Sequence, residues 1–306
     1  MIDYTNLITT STAYALLCES GRTHAYLITA ADPLTASLTA AAFSDTLCGK
    51  ADIARLPVAG GDRVRTEDIN WLTGDCWIKP FDSDVKVYLI DKADTMTEQA
   101  QNKLLKTLEE PPPSAVVLLA VCREAKMLRT IVSRCRRVRC AGFDARQIYD
   151  CLIANGIDAK RADFAAAFSG GSLYLADKMT ESDLYAAAAD TVFRVFSDMR
   201  TSRDILKHAA ALTAYKDIFD VVLDFMSYIL RDIAIVHAGK RKLVFTKRRE
   251  ADIIELAREF PLKACTLISK KILDAKKSLH YNCNLQNVID GLLFAVLEIK
   301  AANKDK

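Results

Sequence analysis

A chain of 306 residues is long for a single hydrophobic core and has material for two or three compact units. Apolar residues make up 51% and charged residues 26%, which excludes disorder and collagen-like structure and favours a helix-rich globular protein. The formal charge of +3 neither requires nor excludes a nucleic-acid partner, because phosphate affinity follows local clusters of Lys and Arg more than the total.

Residues 12–18 (TAYALLC) carry a short helical pattern, and the apolar run 24–29 predicts a buried strand. Ala30-Ala31-Asp32-Pro33 then turns the chain into an Ala-rich helix reaching about Cys48. A nucleotide-binding protein carries its phosphate loop, GxxxxGK[ST], at such a strand–turn–helix. The glycines let backbone N–H groups wrap phosphate, the Lys neutralises charge and the hydroxyl holds Mg²⁺. Here the glycine positions hold Ala30 and Thr35, the lysine position holds Ala36, and only Ser37 matches. A lost charge-assisted contact costs roughly 1.5–3 kcal/mol, and a non-glycine residue in a strained loop about 1–3 kcal/mol more. Both a decayed phosphate loop and a turn that never bound phosphate fit the segment. Neither supports ordinary nucleotide affinity.

Residues 52–58 predict a second strand. Gly60-Gly61 turns the chain toward a helix carrying Val64, Ile69 and Trp71, which Lys79-Pro80-Phe81 ends. Val87-Tyr88-Leu89-Ile90 reads as a central parallel strand covered on both sides. Asp91 therefore falls at a strand's carboxyl end, where open α/β sheets place ligand crevices. In an ATPase this Asp would help hold Mg²⁺ and a following Glu would position the attacking water, but the next residue is Lys92. Thr95 with Glu98 predicts a capping box for a helix that buries Ala100, Leu104, Leu105 and Leu108 and stops at Pro111-Pro112-Pro113. Residues 116–121 predict the next buried strand. Arg134 then falls in the turn Ser133-Arg134-Cys135, followed by Arg136, Arg137 and Arg139 alternating with the apolar positions of a final strand. A planar, permanently charged guanidinium in an exposed turn can reach a phosphate on a neighbouring subunit; a solvated surface arginine fits the same local pattern. Strands alternating with helices predict an α/β fold, a parallel sheet with helices on both faces.

After Gly142 the pattern is helical: 145–154, 160–168, a turn at Gly170-Gly171-Ser172, a long helix with Ile218, Val222, Phe225, Ile229, Ile233 and Val236 at spacings of three and four, then 251–260, 262–279 and a last helix introduced by Cys283-Asn284-Leu285. Lys240-Arg241-Lys242 and Lys247-Arg248-Arg249 read as a solvated basic loop or as phosphate contacts. His24, His208, His237 and His280 show no ligand spacing. The nine cysteines form no CxxC pair, which argues against a structural metal, and with the opening MIDYTNLITT, which has no basic region followed by an apolar one, they lead us to expect a cytoplasmic protein with free thiols. The strongly apolar run 292–297 is far short of a membrane span, so no membrane partner is expected.

Taken together, HAYL at 24–27, KVYLIDKAD at 86–94, AQNKLLKTLEEPP at 100–112, LRTIVSRC at 128–135 and SGGSL at 169–173 resemble the AAA+ subunits of bacterial clamp loaders. The resemblance is dense over 12–140 and thinner beyond. It implies an AAA+ RecA-like α/β domain with a degenerate P-loop over 1–141, a small helical lid over 142–200 and an all-α collar for oligomerisation over 201–306. It also implies that Arg134 acts in trans as an arginine finger on ATP held by a neighbouring tau/gamma subunit, a contact worth about 10³–10⁵ in turnover.

Several family features are absent. Ala30, Thr35 and Ala36 replace the phosphate-binding residues, Asp91 is a Walker-B remnant followed by Lys92, and Tyr174-Leu175 stands where active members follow the serine with Gly-Arg. The cysteine-rich zinc module of many relatives is missing too. The expectation is an ATPase-dead subunit with no cofactor and no metal. It would work in a hetero-pentamer with tau/gamma and delta subunits, within an assembly that has ATPase and DNA polymerase activity, and meet the sliding clamp and primed DNA through that complex. The alternatives are a divergent, active ATPase using Ser37 and Asp91, and a stand-alone DNA-binding protein using the basic clusters.

Overall fold

The apolar runs become the strands of one parallel sheet in the computed structural model, which describes residues 2–19, 21–58, 61, 63–241, 244, 249–281 and 283–302. The chain divides into two compact units, Met1–Lys178 and Met179–Lys306. In the first unit the order is α1 (Thr5–Thr9), α2 (Thr12–Glu19), β1 (Ala25–Thr29), α3 (Pro33–Leu47), β2 (Ile53–Leu56), α4 (Thr66–Asp75), β3 (Lys86–Ile90), α5 (Glu98–Glu109), β4 (Ala115–Val121), α6 (Arg129–Val132) and β5 (Arg136–Arg139). Then come α7 (Ala145–Ala154), α8 (Ala159–Phe168) and α9 (Leu173–Glu181). The sheet order is β2-β3-β4-β1-β5, with Leu27 beside Leu119, Ile90 beside Leu119 and Ile28 beside Val138. This is the parallel sheet with helices on both faces that the alternation of strands and helices predicts.

Period-two alternation of side chains sorts each central strand between two cores. Tyr26, Ile28, Val87, Leu89, Leu118 and Ala120 pack with Leu17 of α2 and Ala40 and Phe43 of α3. Leu27, Tyr88, Ile90, Val117 and Leu119 pack on the opposite side with Ile69 and Leu72 of α4, Leu104 and Leu108 of α5, and Ile131 of α6. Every residue of β4 is buried, as a strand covered on both faces requires.

Several boundaries differ from expectation. Helix α4 starts at Thr66, after Val64, because the Asp68 carboxylate accepts the N–H groups of Arg65 (2.8 Å) and Val58 (3.1 Å) and fixes the entry there. It ends at Asp75, before Lys79. The loop beyond is held by buried Asp52, which accepts from the N–H groups of Phe81 (2.5 Å) and Asp82 (2.9 Å). Those bonds hold the Asp52 carboxyl below its ordinary range. Asp52 closes a 3-10 turn, so β2 starts one residue later than the pattern suggested. The cap of α5 is Thr97, whose hydroxyl accepts from Ala100 N–H at 3.2 Å. Thr95 sits in a preceding 3-10 turn and donates to the Lys92 carbonyl at 2.8 Å. In the edge strand β5, Arg136, Arg137 and Arg139 are all exposed and only Val138 is buried, so the expected alternation is incomplete.

The second unit holds α10 (Leu184–Asp198), α11 (Ser202–Thr213), α12 (Phe219–His237), α13 (Glu250–Glu259), α14 (Leu262–His280) and α15 (Leu285–Ala302). Val222, Phe225, Ile229 and Ile233 of α12 are fully buried, as their spacing predicts. Helices α1, α6, α9, α10 and α11 were not anticipated. No helix among the described residues is long and apolar enough to cross a membrane.

Candidate functional site

The crevice at the carboxyl ends of β1 and β3 is built by the turn that the sequence compared with a phosphate loop. Ala30 continues the sheet by donating its N–H to the Val121 carbonyl at 3.1 Å. Asp32 then caps α3, with Pro33 in the first turn, where its missing N–H costs nothing. The Asp32 carboxylate is buried and accepts from Thr35 N–H (2.9 Å), Thr35 Oγ1 (2.7 Å) and Tyr174 N–H (3.3 Å). One carboxylate therefore serves the amino ends of two helices, α3 and α9. An anion-binding loop would offer such N–H groups to phosphate; here they already face a negative charge. Two unit charges 4 Å apart at an effective dielectric of 20 interact by about 4 kcal/mol, here repulsively.

Ala36, at the lysine position, is buried and brings no charge. Ser37 Oγ donates to Asp91 Oδ1 at 2.5 Å, so the two matched residues meet. Burial pushes the Asp91 carboxyl up, opposed by the Ser37 hydrogen bond and by the charges of Arg55 and Lys92. Lys92 takes a left-handed conformation with φ of 50° and opens a 3-10 turn where a catalytic Glu would follow.

SGGSL is a structural joint. Ser172 Oγ accepts from Leu175 N–H at 3.1 Å and caps α9. Gly171 has φ of +90°, its carbonyl accepts from Phe143 N–H at 3.1 Å, and a Cβ there would lie 2.7 Å from the Phe143 carbonyl oxygen. Tyr174 and Leu175 bring no cation to this corner.

Arg134 stands apart from the crevice residues in its contacts. Its Nη1 donates to the Thr130 carbonyl at 2.9 Å, and its Nη2 pairs with Glu109 Oε1 at 2.7 Å. Its side chain retains 35% exposure. The turn around it is closed by hydrogen bonds. Arg134 N–H donates to the Ile131 carbonyl at 3.0 Å, and Ser133 Oγ to the Thr130 carbonyl at 3.0 Å. Cys135 packs against the core on the α5 side, and burial pushes its thiol up to about 12.

Sequence reasoning missed Gln101, whose buried amide accepts from Leu128 N–H (2.8 Å) and donates to the Lys126 carbonyl (3.0 Å), fixing the approach to α6. A polar residue beside Ala100 on the core side of the helix was the available signal.

Two other arginines of the cluster have separate anchors. Arg136 donates to the Gly21 carbonyl at 2.7 Å, and Arg137 pairs with Glu124 at 3.5 Å. Of the second basic cluster, Lys242, Lys247 and Arg248 lie outside the described residues. Arg249 pairs with Asp190 and lies 4.4 Å over the Phe193 ring. Burial lowers the pKa of His208, and a His237 ring nitrogen meets the Phe260 carbonyl at 2.9 Å. Among the described residues no group of three or more His, Cys, Asp or Glu is placed to hold a metal.

A family model described as DNA polymerase III, delta subunit, matches residues 49–144. DNA polymerase III subunit delta' of Bacillus subtilis (strain 168) is 25% identical over 222 residues, 71% of this chain and 67% of that protein. DNA polymerase III subunit gamma of Buchnera aphidicola subsp. Schizaphis graminum is 23% identical over 273 residues, 80% of this chain and 75% of that protein. Among solved structures, a DNA polymerase III gamma subunit-related protein of Thermotoga maritima is 17% identical with a TM-score of 0.43, covering 97% of this chain and 100% of that one. The family model and the two relatives bear the names of DNA polymerase III subunits.

Proposed function

We propose that this chain, a relative of the clamp-loader subunits of bacterial DNA polymerase III, is a delta-prime-type subunit that hydrolyses no ATP itself and completes the ATP site of a neighbour. In this reading Arg134 is an arginine finger for an adjacent tau/gamma subunit in a cytoplasmic hetero-pentamer that also contains delta. The complex opens the sliding clamp and places it on primed DNA. Residues 1–141 form the AAA+ domain, 142–200 the lid, and 201–306 the collar that packs with partners.

The observation that carries this reading is the Asp32 carboxylate seated on the amino end of α3, on an N–H that phosphate would need. Ala36 and Lys92 act in the same direction, since one removes a cation and the other removes the base. Equilibrium binding of labelled ATP with Mg²⁺ to the isolated chain tests it. No saturable Mg²⁺-dependent binding is expected, and micromolar Mg²⁺-dependent affinity would sink the proposal. A second reading, a divergent active ATPase, draws on the Ser37–Asp91 contact, which keeps two potential Mg²⁺ ligands together. The same titration decides between them. A stand-alone DNA binder is less well supported, because Arg136, Arg137 and Arg249 are each engaged within the chain.

A further inference from the structure

We propose that Glu109 is a positioning residue for Arg134. From the last turn of α5 it holds the guanidinium in one rotamer, so that the finger meets a neighbour's phosphate already ordered. The inference rests on the trans-finger reading of Arg134.

Both terminal nitrogens of Arg134 are gripped, Nη2 by Glu109 Oε1 at 2.7 Å and Nη1 by the Thr130 carbonyl at 2.9 Å. The two anchors come from different helices, α5 and α6, so the grip defines a direction as well as a contact. An arginine has many rotamers, and immobilising it when a partner docks slows or weakens the encounter; ordering it beforehand removes that cost. The anchors are themselves fixed. Glu109 is the last residue of α5, which Thr97 caps at its start and Pro111 follows at its end. From the same helix, Gln101 holds Leu128 N–H at 2.8 Å and the Lys126 carbonyl at 3.0 Å, setting where α6 begins. Helix α5 therefore places both Thr130, through Gln101, and the carboxylate that meets Arg134. An exposed ion pair with no functional consequence is the competing account, since such pairs add little to stability.

The two accounts part in a loader reconstituted from all its subunits with clamp and primed DNA, assayed for ATP hydrolysis with wild type, E109Q, E109A, R134A and E109A/R134A. We expect E109A to lower kcat roughly three- to tenfold, the scale of ordering one long side chain, with KM for ATP unchanged. E109Q keeps an acceptor oxygen at the same place and restores most of the rate. The double variant matches R134A, because an absent finger has nothing to position. A wild-type or faster rate for E109A, in a loader where R134A is impaired, overturns the positioning role. So does a further loss in the double variant or no recovery in E109Q, either of which marks Glu109 as structural. If R134A itself hydrolyses at the wild-type rate, the finger reading falls and the inference with it.

Discussion

At the end of β3, burial holds the Asp91 carboxyl above the ordinary carboxylate range, against the pull of Ser37, Arg55 and Lys92. A raised acid binds its proton more tightly in the folded chain. Its contribution to stability is thus present below the unfolded pKa, about 3.9, and lost as pH rises through the folded value. Asp91→Asn should remove that loss while keeping an acceptor for Ser37. The variant melts at a higher temperature than wild type at pH 7 and at the same temperature below about pH 4; equal melting at pH 7 would refute the assignment. Asp32 acts as a cap, since its carboxylate satisfies N–H groups on two helices. Replacing it by alanine should cost about 1–2 kcal/mol in urea unfolding, the worth of a good amino-terminal cap. An unchanged midpoint would show that the cap is incidental. Arg134 was singled out by its Ser-Arg-Cys turn only together with the resemblance of the surrounding motifs, since the local pattern fits a solvated arginine as well. Glu109 was not, because 25 residues separate it from its partner and only the packing of α5 against α6 brings them together.

Among the elements, α4 and the turn before α9 make opposite predictions about glycine. Gly171, at φ of +90° with the Phe143 carbonyl 2.7 Å from a would-be Cβ, cannot take a side chain without moving backbone. Gly171→Ala should destabilise the chain by about 1–3 kcal/mol. Gly74, inside α4 with nothing within 4 Å of its would-be Cβ, should instead gain about 0.5–1 kcal/mol as alanine. Chemical denaturation of the pair checks both signs. The central strands were readable because parallel strands covered on both faces are near-continuous apolar runs. The ends of α4 and α5 were harder. Asp68 and Thr97 set those ends through their own side chains, and neighbouring residues such as Thr95 matched the capping pattern equally well. The 76–85 connection depends on Asp52, a contact between residues about 30 apart that no local pattern encodes.

For the molecule as a whole, the carboxy-terminal helices are the least legible part of the sequence: period and burial identified α12, but polar contacts inside the unit were invisible. Buried Lys300 on α15 donates to the Phe196 carbonyl at 2.7 Å and pairs with Glu259 at 2.8 Å, while Arg200 holds the same Glu259 at 2.7 Å. Lys300→Met removes one partner of a largely buried network and should cost about 3 kcal/mol, read as loss of folded protein or of assembly with partner subunits. Melting at the wild-type temperature would show the network to be dispensable.

The functional account divides an ATP site between two chains, with this one supplying a cation and keeping its own crevice occupied by Asp32. The most direct test replaces Arg134 by alanine in the fully reconstituted loader and follows ATP turnover at the site this subunit would complete. The account predicts a fall of about 10³-fold or more there with assembly intact; turnover equal to wild type in an intact complex would contradict it.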